Sequence, residues 1–153
     1  MRSKPFVANR QQELETALQR FAKQINSPAA SKVTKETYLL LCEAQGIEPD
    51  PKVMPLDLND FPPIVLLALN MFNQLRDVYI PGDYPTYIGK DLGALLTLLD
   101  IYEITQPRDK QLILKVINIL DSAAVTAAKA KIEAVRKKNK PILPEARGGS
   151  RTK

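Results

Sequence analysis

LDLNDFPPIVLLALNMFNQLRDVYIPGDYPTYIGKDLGALLTLLDIYEI, residues Leu56 to Ile104, decides how this chain reads. It holds two strongly apolar runs joined by a short aromatic segment. Asn59 or Asp60 can cap the first run. Pro62 and Pro63 then fall in a first helical turn, where a missing N–H donor has no intrahelical acceptor to lose. Residues from Ile64 to about Val78 read as a helix that is apolar almost all round at its start, which predicts burial on several sides and a central place in the core. Pro81 to Tyr87 reads as a turn. Beyond it, Leu92, Leu95, Leu96, Leu99 and Tyr102 recur at three-four spacing and predict a second helix. The stretch therefore predicts an antiparallel helical hairpin over residues 60–104. No alternating apolar pattern is long enough to predict a strand, so the expected fold class is all-α, with about five helices.

Working outward, Asn9 to Asn26 predicts a helix whose Leu14, Leu18, Phe21 and Ile25 share one narrow face. Thr34 is a good N-cap for a helix from Lys35 to about Gln45, stopped by Gly46 in the left-handed conformation. Cys42 lies within that helix and reads as a small buried hydrophobe. Three prolines between Glu48 and Pro55 exclude helix and central strand there. On the other side of the hairpin, Thr105 and Pro107 predict the start of a long helix over 107–139. Its apolar face is Ile113, Val116, Ile117, Leu120, Ala124 and Ala128, after which it turns basic. Pro141 and Pro144 stop it. The expected organisation is a single helical domain over residues 1–140, with its core in 56–128, and a basic flexible tail over 141–153.

With 153 residues, the chain suits one core and not two. Histidine is absent, which removes the commonest general base and neutral metal ligand. The single cysteine excludes an internal disulfide and a thiolate metal cluster, and suits a reducing compartment. No uninterrupted apolar run reaches the roughly 18 residues of a spanning helix. The N-terminus lacks the apolar segment of a secretory signal. A cytoplasmic protein without a membrane partner is expected.

Charge is segregated. Residues 1–40 carry seven Lys/Arg against three Asp/Glu, residues 41–105 three against ten, and residues 106–153 twelve against four. Such asymmetry bears on partners and not on fold. Lys129, Lys131, Arg136, Lys137, Lys138 and Lys140 fall within twelve residues, followed by Arg147, Arg151 and Lys153. Phosphate neutralisation by such a cluster gives sequence-independent, salt-sensitive DNA binding. The competing reading is a solvated helix end, with its cations favourably placed against the dipole. Aromatic residues are absent from this tail, so stacking on single-stranded bases is not expected there.

Catalytic signatures are missing. Gly89-Lys90 suggests a phosphate-binding loop, but Tyr84 stands where the motif needs glycine and Asp91 where it needs Ser or Thr. Asp57, Asp60, Asp91 and Asp100 read as caps and exposed helix positions. No enzyme activity, cofactor or metal is expected.

The segment AsnAspPheProPro (59–63), the Leu/Phe-rich run after it, the aromatic-Gly turn and residues 87–104 resemble small morphogenesis proteins of tailed bacteriophages. The arrangement resembles that of certain tail-assembly chaperones, and small terminase subunits are similar to the whole chain in size and in carrying a basic tail. The resemblance implies a non-enzymatic, oligomeric phage assembly factor in the host cytoplasm. As a small-terminase-like packaging subunit it would contact DNA through the nine cations from Lys129 to Lys153. As a chaperone it would bind a phage protein and use the tail only as a solubilising end.

Overall fold

A 32-residue helix, Pro107–Lys138, packs against two of the other helices and one strand. The computed structural model describes residues 4–27 and 33–139, so the tail expected over 141–153 lies outside the described residues. In chain order they form α1 (Lys4–Asn26), α2 (Lys35–Gln45), α3 (Pro63–Gln74), β1 (Asp77–Ile80), β2 (Thr86–Lys90), α4 (Leu95–Ile101) and α5 (Pro107–Lys138). Single 3-10 turns at Leu58–Asp60 and Leu92–Ala94 precede α3 and α4.

The expected all-α class is corrected. There are five α-helices among the described residues, but between α3 and α4 the chain forms a two-stranded antiparallel sheet. Asp77 pairs with Lys90, Val78 with Gly89, Tyr79 with Tyr87 and Ile80 with Thr86, with a register shift between Val78 and Tyr79. The predicted central helical hairpin is therefore a helix, a β-hairpin and a short helix. α3 ends at Gln74, short of the expected limit at Val78, and Leu75 is already extended at ψ 143°. The cause is local. One strand carries Val78, Tyr79 and Ile80 and the other Thr86, Tyr87 and Ile88, all β-branched or aromatic types that fit a pleated surface better than a helix. Pro81 and Pro85 also press Ile80 and Tyr84 toward extended backbone. The second predicted helix does not follow the turn directly: helical structure begins only after Asp91, whose carboxylate accepts from Gly93 N–H at 2.9 Å.

The core joins α1, α3, α4 and α5. Ile113, Val116, Ile117 and Leu120 of α5 cluster with Leu18, Phe21 and Ala22 of α1 and Val65, Ala68 and Met71 of α3, all buried. Leu95 and Leu99 of α4 complete the cluster. Phe21 and Phe61 pack edge-on at 5.2 Å between ring centres. The central helix is thus α5 and not α3, because α1, α3 and β2 all lie against it. By length and composition α5 could also cross a membrane. Here the face carrying Ile113, Val116, Ile117 and Leu120 is occupied by α1 and α3, as in the core helix of a folded domain.

The predicted stripe of α1 holds at Leu14, Leu18 and Phe21. Ile25 instead lies 51% exposed, and Ala22 takes the inward place. The α2 boundaries match the sequence signals. Thr34 Oγ1 accepts from Thr37 N–H at 3.2 Å, and Gly46 sits at φ 64°. Cys42 is buried, the one buried residue of α2. Gln106, not Thr105, caps α5. The proline-rich connection is held by α1: Arg20 donates to the carbonyls of Lys52 (2.8 Å) and Met54 (3.2 Å). Gln24 exchanges two 3.0 Å hydrogen bonds with the backbone of Leu56.

Candidate nucleic-acid interface

The candidate interface falls on the second half of α5. Up to Leu120 this helix is committed to the core. From Ala123 to Ala128 its side chains are mostly alanine and partly buried. Ile132 is the last half-buried position, and from Glu133 to Asn139 every residue is exposed.

The β-hairpin lies along this half of the helix and is pinned by Asp121. Tyr87 Oη donates to Asp121 Oδ1 at 2.6 Å, and Lys90 N–H donates to Oδ2 at 3.2 Å. Gly89, at φ 135°, lets the strand come this close, since a Cβ there would stand 2.7 Å from Asp121 Oδ2. Burial, then the hydrogen bond and charge of Asp121, push the Tyr87 hydroxyl well above its ordinary pKa. At the far end, Asn139 Nδ2 donates to Tyr84 Oη at 2.9 Å. Asp121 and Asn139 are separated by about 27 Å along a helix. The hairpin so brings Tyr79, Tyr84 and Tyr87 alongside the basic end.

Of the nine cations singled out in the sequence, Lys129, Lys131, Arg136, Lys137 and Lys138 lie in described α5; Lys140, Arg147, Arg151 and Lys153 lie outside the described residues. Lys131 borders a hollow of about 430 Å³ with Tyr79, Tyr87 and Ala128, and Arg136 borders one of about 330 Å³ with Tyr84 and Thr86. At about 100° per residue, Lys129 and Arg136 share one line along the helix, Lys131 and Lys138 one roughly opposite, and Lys137 a third. The cations surround the helix instead of forming one face. Among the described residues none of the five joins an ion pair; the three pairs there are Lys35–Asp60, Lys90–Asp77 and Lys115–Glu15.

Other groups weighed in the sequence have structural partners. Lys90 Nζ lies 2.6 Å from Asp77, donates to the Leu75 carbonyl at 3.1 Å and stands 4.7 Å from the Phe72 ring centre. Asp57 and Asp60 form a capping box around the turn at Leu58–Asp60, and Lys35 beside Asp60 holds that carboxyl below its ordinary pKa. Among the described residues no three His, Cys, Asp or Glu side chains gather as a metal site would need. The tyrosines beside the basic helix are not recognisable as neighbours in the sequence, because they sit in a separate element far up the chain. Comparison with family models, curated proteins and solved structures returns no match.

Proposed function

We propose that this chain is a non-enzymatic assembly subunit that contacts duplex DNA through the basic end of α5, as a small terminase subunit of a tailed phage would. The observation that supports this reading is a set of five cations, none in an ion pair among the described residues, on the last turns of α5, where every residue from Glu133 to Asn139 is exposed. Phosphate contacts of this kind hold a duplex without reading its sequence.

The test is binding to a duplex of about 30 base pairs at about 50 and 200 mM salt. Five phosphate contacts give an affinity loss of about 500-fold over that fourfold rise. Replacing Lys129, Lys131, Arg136, Lys137 and Lys138 together by Gln, or truncating after Ala128, is expected to remove most of the affinity. Unchanged binding in both variants would move the contact elsewhere.

A second reading, a tail-assembly chaperone or other protein-binding module, is supported by the exposure of Leu39, Leu40 and Leu41 on α2. It expects binding to an apolar protein segment that is indifferent to truncation after Ala128.

A further inference from the structure

Leu40 of α2 is 65% exposed and points away from buried Cys42. One turn to either side it is flanked by Glu36, Glu43 and Ala44, so the outward ridge of α2 sets an exposed leucine between two carboxylates. Leu39, Leu41 and Ile47 extend the exposed apolar surface. Thr34 and Gly46 cap both ends, so the helix is defined although it buries only one residue. Elsewhere, α1 and α5 enclose an open groove of about 580 Å³ whose lining includes Ala22, Lys23, Lys115, Ile119, Ala123 and Ala127 and no carboxylate. Lys23 has no carboxylate partner among the described residues, and Lys115 has Glu15.

We infer that the α2 ridge of one copy seats in the α1–α5 groove of a second copy. Leu40 and Leu41 would fill the small-residue floor, and Glu36 or Glu43 would meet Lys23, the groove cation without a carboxylate partner among the described residues. Donor and acceptor surfaces differ, so the contact is head-to-tail and propagates into a ring or an open filament. The contact gives the proposed assembly subunit a way to self-associate and does not depend on DNA binding.

The experiment is light-scattering mass without nucleic acid, at about 150 mM salt and about 100 µM protein. Wild type is expected as an oligomer. Leu40→Glu/Leu41→Glu and, separately, Lys23→Glu/Thr126→Glu are expected at the 17.1 kDa monomer mass. All four positions are exposed, so an unchanged circular-dichroism melt serves as the folding control. Mixing the two variants restores one intact contact and is expected to give a dimer of twice the monomer mass. A monomeric wild type, an oligomeric leucine variant, or a mixture that stays monomeric would overturn the inference, and the last two would direct α2 to a different protein.

Discussion

Asp121 ties the hairpin to α5 through both of its carboxylate oxygens. It accepts from Tyr87 and from the Lys90 backbone, and it closes the space at Gly89. Asp121→Ala leaves two donors without their acceptor and is expected to lower stability by about 1–3 kcal/mol in urea unfolding. Gly89→Ala adds a methyl group against Asp121 and keeps a left-handed φ, so a lowered urea midpoint is expected there too. The Tyr87 pKa is raised on folding, so its contribution is complete below the unfolded value near 10 and is lost as pH climbs toward the folded value. The stability difference between wild type and Tyr87→Phe is therefore expected to be constant from about pH 7 to 9 and to shrink above about pH 10.

At the scale of elements, capping and periodicity are legible in the sequence and strand pairing is not. Thr34 and Gly46 mark the ends of α2 because their chemistry acts within a few residues. The hairpin is different: Val78, Tyr79 and Ile80 are contiguous and apolar, offering no alternation, and they follow a helix without a glycine break. Proline positions and β-branched residues carry the only local signal for it. α2 separates local from global stability. Thr34→Ala is expected to speed hydrogen exchange of the α2 amides by about fivefold, for a cap of about 1 kcal/mol, while the global melt stays unchanged because α2 buries only Cys42.

Across the whole molecule, the core residues of α5 are legible from spacing, since Ile113, Val116, Ile117 and Leu120 are all buried. The candidate site is legible only as a run of cations. That the run surrounds an exposed helix end, and that tyrosines from the hairpin lie beside it, depends on contacts between residues far apart in the chain. The most direct test of the DNA-contact claim is the slope of log affinity for duplex DNA against log salt, for wild type and for the five-Gln variant. Each phosphate contact contributes about −0.9 to that slope. The expected result is a variant slope shallower by about 4.5, five such contacts. Equal slopes would contradict the claim and leave the basic end of α5 as a solvated helix terminus.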